Sequence, residues 1–142
     1  MYACESWTLT SDLEKRIQAK EMRCFHKILR ISYKDHITNN EVRRKVRKEI
    51  GPYMELLNIV KTRKLKWYGH TTRTLGLAKT ILQGTVQGGR RRGRQRKRWE
   101  DNISEWTGLA LIETMRQAKD REGLHELVAR CVNCPSGQAT KG

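Results

Sequence analysis

No stretch of this sequence approaches the roughly 18 consecutive apolar residues of a membrane span, and only 37% of its 142 residues are hydrophobic. Partnership with a membrane is therefore not expected. A single Phe stands beside four Trp and four Tyr, so most aromatic mass carries a polar handle that needs a partner when buried. The first residues, MYACESWTLTSD, lack the basic start and apolar run of a secretory signal. An intracellular, nuclear setting is expected, and with it free thiols at Cys4, Cys24, Cys131 and Cys134. Cys131 and Cys134 form one CxxC with His125 upstream, whereas structural zinc usually draws on two spaced pairs. Neither a metal nor a cofactor is expected. Asp12, Asp35, Asp101 and Asp120 are scattered, with no DD or DxD pair to hold two magnesium ions. Phosphate-loop, zinc-protease and nucleophile-elbow patterns are missing too. The chain reads as non-enzymatic.

Acidic residues are scarce in one place. Residues 41–98 hold eighteen basic and three acidic side chains, net +15, which equals the formal charge of the whole chain. Residues 1–40 carry net +2 and residues 99–142 net −2. A block of this kind is an electrostatic footprint for an anionic partner. It ends in the run Gly89–Arg98, GRRRGRQRKR, in which Arg90, Arg91, Arg92, Arg94, Arg96, Lys97 and Arg98 are basic. Burying even one unpaired guanidinium costs several kcal/mol, so the run belongs in water or against an anion. Arginine forks onto phosphate and onto guanine edges, which points to nucleic acid. Seven phosphate contacts would give a salt dependence of log K near −6 on duplex and −5 on single strands. RGRQ resembles the core of an AT-hook, but Gln95 replaces its proline, which argues against base-specific minor-groove reading.

The expected class is mainly α: a helical region over 1–75, a Gly/Arg-rich basic linker over 76–98, a C-terminal helical segment over 99–130 and a disordered tail over 131–142. Residues 2–9 read as a short strand or extended lead-in. Ser11 and Glu14 fit a capping box, opening a helix to about Arg30 with an apolar stripe through Leu13, Ile17, Cys24, Phe25, Ile28 and Leu29. Thr38–Glu41 is a second capping box. Val42, Val46 and Ile50 mark the buried face of the helix it opens, and Gly51–Pro52 stops that helix. A third helix is expected from Tyr53 to about Thr72, its inner stripe built from Met54, Leu57, Val60, Tyr68 and the stem of Lys64. TILQGTVQG reads as an irregular strand or hairpin. Helix resumes near Arg96 or Lys97, with Trp99, Ile103 and Trp106 on one side and Gly108 at its end. Leu111, Met115, Ala118, Leu124, Leu127 and Val128 then suggest one or two closing helices.

The expected nucleic-acid contacts are Lys61, Arg63, Lys64, Lys66 and Arg73 on the third helix, together with the seven cations of the run. Trp67, Tyr68, His70, Trp99 and Trp106 are expected as packing or stacking anchors. Glu100, Asp101 and Glu105 complement the dipole at a helix start.

The blocks YACESWTLTSDLEKRIQAKEMRCFHKILRISYKDHITNNEV, KTRKLKWYGHTTR, GGRRRGRQRKRWEDNISEWTGL and AKDREGLHELVA, in this order, resemble the C-terminal end of a non-LTR (LINE-type) retrotransposon endonuclease-reverse transcriptase. Similar segments occur in gene models called craniofacial-development-protein-like. The resemblance covers about residues 2–130. It implies a helical thumb-like part and a basic linker, which belong to a polymerase that copies element RNA at nicked chromosomal DNA. It also implies an upstream reverse transcriptase palm as a partner. The palm's aspartates and the endonuclease are absent here, so the resemblance implies no catalysis. Gly123–Leu124 stand where the family usually has an aromatic, Gln95 where proline is common, and 131–142 match nothing in the family. Met1 just before YACESW reads as a 5′-truncated copy. A structural remnant of such an element and a domesticated DNA-binding protein are the alternative readings.

Overall fold

Thr38 places a hydroxyl three residues ahead of Glu41, and the two close a reciprocal cap. Glu41 N donates to Thr38 Oγ1 at 3.4 Å, and Thr38 N donates to Glu41 Oε2 at 3.1 Å. The bond from Thr38 N, with a second from Thr38 Oγ1 to the same Glu41 Oε2 at 3.1 Å, holds the Glu41 carboxyl below its ordinary pKa. Helices begin where such donors are satisfied, and the chain does so repeatedly. The computed structural model describes residues 3–74, 76, 77, 79, 80 and 97–133. Among them are α1 (Ser11–Ile28), α2 (Asn39–Ile50), α3 (Leu56–Arg73), α4 (Trp99–Thr107), α5 (Leu111–Lys119) and α6 (Arg121–Asn133). No strand occurs among the described residues. The class is mainly α.

Local details depart from the sequence reading at several points. The lead-in is not a strand: Cys4–Ser6 is a 3-10 turn, which Ser6 Oγ closes by donating to Ala3 O at 2.8 Å. The N-cap of α1 is Thr10, not Ser11, and its hydroxyl accepts from Leu13 N at 3.3 Å. The other end of α1 closes on Arg30 at φ 52, with Ile31 N donating to His26 O at 3.0 Å. This is the left-handed stop that glycine more often supplies. Ile28 and Ile50 are each 66% exposed and Met54 is 50% exposed, so none of them is core. Cys24 is exposed as well. Alpha helix α3 starts three residues later than Tyr53, because its first turn has no acid of its own and is capped from α1. Glu21 Oε1 accepts from Leu56 N at 2.7 Å. Alpha helix α6 runs to Asn133, past the expected tail boundary at 131.

By internal contacts the chain forms two units, Leu9–Ile59 and Met1–Thr8 with Val60–Gly142. In the first, α1 packs on α2. Leu9, Met22, Val42, Val46 and Leu57 are its buried apolar residues. Arg43 of α2 bridges Glu55 and, at 4.0 Å, Glu21. Phe25 meets Tyr53 edge to face at 5.3 Å.

In the second unit α4, α5 and α6 pack on one another. The core joins Leu65 and Tyr68 of α3 to Ile103, Ala118, Leu124 and Leu127, with Trp99 and Trp106 partly buried against it. Gly108, at φ 66, ends α4 as the sequence reading expects. Gly69 admits α6 to α3: a Cβ there would collide with Leu124 Cδ2. Gly69→Ala adds about 1 kcal/mol of helix propensity. The displaced, buried Leu124 costs about 1–3 kcal/mol through overpacking. The expected net effect is a loss of about 1 kcal/mol, to be read from the urea midpoint. A gain in stability would show that Leu124 moves aside freely.

The expected hairpin beyond Thr80, the Arg run through Arg96, and Cys134 with the rest of the tail lie outside the described residues. No described helix is long and apolar enough to cross a membrane.

Candidate nucleic-acid interface

Alpha helix α3 sorts its cations by helical phase. Leu57, Val60, Lys64, Leu65, Tyr68, Thr71 and Thr72 are buried, whereas Arg63, Lys66, His70 and Arg73 are exposed. The exposed four are spaced three, four and three residues apart and so share one face. At 1.5 Å per residue they span about 15 Å. Arg73 is also anchored, donating from Nη1 to Ala118 O at 2.8 Å. Lys61 is half-buried, its ammonium 5.4 Å from the Trp106 ring.

Lys64 is a correction. It is fully buried, so it cannot meet a phosphate backbone in this conformation. Its Nζ donates to Trp7 O and to Asn102 Oδ1, each at 2.7 Å. It lies 4.5 Å from the centre of the Trp99 ring and 5.4 Å from that of Trp106. Two acceptors and two indole faces therefore surround one ammonium, an arrangement that favours its charged form. Burial acts the other way, as does the like charge of Lys97. Together these push its pKa from 10.5 down to about 7. The cage ties α3 and α4 to the turn at Cys4–Ser6, which is fastened a second time by Trp99 Nε1 donating to Glu5 O at 2.8 Å.

The aromatic anchors divide. Tyr68 is 1% exposed and unavailable for base stacking. Its hydroxyl has no partner among the described residues, and burial with the nearby Glu100 carboxylate pushes it up to about 12. Trp67 and Trp99 meet edge to face at 5.2 Å, and Trp99 also lies 6.0 Å from Tyr68. Trp106 is partly buried in the same core. His70 is exposed and does not anchor by packing.

The described end of the Arg run is half engaged. Lys97 pairs with Glu105. Arg98 is exposed, and its backbone N donates to Asp101 Oδ2 at 2.6 Å, which caps α4. Asp101 thus serves the helix start as expected. Glu100 also lies in the first turn of α4, where its Oε1 is buried without a partner among the described residues and burial raises its pKa. Arg90, Arg91, Arg92, Arg94 and Arg96 lie outside the described residues.

Among the described residues no group of three His, Cys, Asp or Glu could hold a metal ion. Cys131 Sγ instead donates to Trp106 O at 3.2 Å. Comparison with known proteins returns no match, whether to a family model, a curated protein or a solved structure.

Sequence reasoning missed Lys64 as a structural group, Glu21 as the cap of α3, and Gly69 as the close approach of α6. The signal for Lys64 was present, since its position falls on the inner stripe with Val60 and Tyr68. The other two depend on partners 35 and 55 residues away, Leu56 and Leu124, to which no local pattern points.

Proposed function

We propose that this chain is a non-catalytic RNA- or DNA-binding segment, equivalent to the post-palm region of a non-LTR retrotransposon reverse transcriptase. The observation that carries the binding is the stripe of Arg63, Lys66, His70 and Arg73, exposed along one face of α3 while the opposite face packs. Basic side chains in a row on one helix track phosphates at little ordering cost. The Arg run, in sequence just before α4, adds a second cationic stretch. The assignment to the retrotransposon family is supported by the four ordered sequence blocks, and nuclear localisation follows from that assignment.

The test is fluorescence anisotropy with labelled RNA and nicked duplex over a salt series. Arg63→Gln with Lys66→Gln removes two exposed cations and leaves the Arg73 anchor intact. The slope of log K against log salt is expected to shrink by about 1.8 on duplex and about 1.4 on single strands. An unchanged slope in a folded variant would sink the proposal.

A further inference from the structure

A second cationic surface lies in the Leu9–Ile59 unit, which carries twelve basic and seven acidic side chains, net +5. Alpha helices α1 and α2 flank an open recess of about 590 Å³. Its walls carry Lys15, Arg23 and His26 from α1 and Arg43 from α2. Ala19 and Met22 form an apolar floor, and two amides, Gln18 and Asn39, complete the lining. Among the described residues no carboxylate lines it. Lys15 and Arg23 are exposed and make no ion pair among the described residues. Arg43 is held by Glu55 and Glu21, which fixes its guanidinium at the wall and offsets its charge.

We infer that this recess takes a single strand of nucleic acid, RNA or DNA, with phosphates on Lys15 and Arg23 and base faces over Ala19, Met22 and the His26 ring. The inference rests on the nucleic-acid reading above but concerns a different surface. Lys15, Ala19, Met22, Arg23 and His26 follow the face of one helix over about 16 Å, the length of several nucleotides. An apolar floor between cationic walls suits a ligand that alternates charge with flat apolar faces. A duplex shows its backbone and hides its base faces, so the floor would gain nothing from it. Single strands expose those faces, and imidazole is among the rings on which they stack. The recess is open rather than enclosed, so a strand can pass through it.

The experiment uses the full chain with oligo-U, oligo-dT and a duplex, each of about twelve nucleotides, the upper range for one strand-binding module. Lys15→Gln with Arg23→Gln is compared with Arg16→Gln with Lys20→Gln, which makes the same charge change on the same helix away from the recess. The recess variant is expected to lower oligo-U and oligo-dT affinity about twentyfold at about 0.1 M salt and to cut the salt slope by about 1.4. The control pair and the duplex should change far less. NMR shifts at the Met22 methyl and the His26 ring should accompany strand binding. Equal losses in the two variants would overturn the inference, because charge alone would then explain binding. Equal losses on duplex, or displacement by a glutamate-rich peptide at the same concentration, would overturn the choice of a single strand. If the recess variant binds like wild type while the Arg63→Gln, Lys66→Gln variant does not, this inference fails and the α3 interface stands. If wild type binds no oligonucleotide, both fail.

Discussion

Lys64→Ala should destabilise the unit built on α3 and α4 by about 4 kcal/mol, far more than any exposed cation of the same helix. The side chain is fully buried, and truncating a buried chain of this length costs about 2–5 kcal/mol in lost contacts and cavity. Trp7 O and Asn102 Oδ1 each lose a 2.7 Å donor, and at the buried Asn102 that loss costs about 1–3 kcal/mol. Relief from burying a charge offsets part of that sum, which is why the expected figure is not larger. Lys64→Met separates the parts. Met fills the stem's volume and removes the charge, so only the two lost hydrogen bonds remain, and the loss should fall to about 1–2 kcal/mol. Urea midpoints at constant slope measure both variants. Lys66→Ala or His70→Ala, on exposed positions of the same helix, should stay within about 0.5 kcal/mol of wild type. If Lys64→Ala were as mild as those two, the cage of Trp99, Trp106 and Asn102 would not hold the structure together.

The same residue shows where sequence reading stops. Features set by neighbours three or four residues apart were legible: the Thr38–Glu41 cap, the Gly51 stop at φ 90, and the Gly108 stop at φ 66. Each depends on backbone groups that the local sequence must satisfy. The core of the second unit was legible for the same reason, since Trp99, Ile103 and Trp106, then Leu111, Met115 and Ala118, then Leu124, Leu127 and Val128 each repeat at helical spacing within one helix. Periodicity says which face is inner but not how far burial reaches along it. Ile28, Ile50 and Met54 match the apolar period and are nonetheless exposed. The sequence puts the stem of Lys64 on the inner stripe and its head on a phosphate outside, since long cationic chains usually keep the charged end out of the core. Here Asn102 and Trp7 O, 38 and 57 residues away, accept from the head and draw it inside. Of the candidate interface, α3 was legible as a cationic helix. What the structure adds is the separation of Arg63, Lys66, His70 and Arg73 from Lys64. The recess between α1 and α2 was not legible, because its walls come from two helices whose packing no single-helix pattern specifies.

Stability should rise with pH across the neutral-to-alkaline range, and Lys64→Met should abolish that rise. Lys64 titrates near 10.5 when unfolded and at about 7 when folded. Below pH 7 both states hold the proton, and the native state carries the whole cost of the buried ammonium. Between about 7 and 10.5 the unfolded chain binds a proton that the native chain has released, so the free energy of unfolding increases with pH. The displacement corresponds to a ceiling of about 5 kcal/mol. Melts that end at pH 9.5 stop short of that ceiling, so the expected rise is about 3 kcal/mol. Two tyrosines oppose it at higher pH. Tyr68 and Tyr53 have raised pKa values when folded, and their contribution is lost as pH climbs past 10, where the unfolded phenols ionise. Glu100, also raised, loses its contribution as pH climbs above its unfolded value of 4.5. Urea melts from about pH 7 to 9.5 therefore isolate the lysine. Wild type and Lys64→Met are compared point by point, and the gap between the two curves should widen with pH in favour of wild type. Parallel curves would mean that Trp7 O, Asn102 and the two indoles keep the ammonium charged throughout, outweighing burial and Lys97.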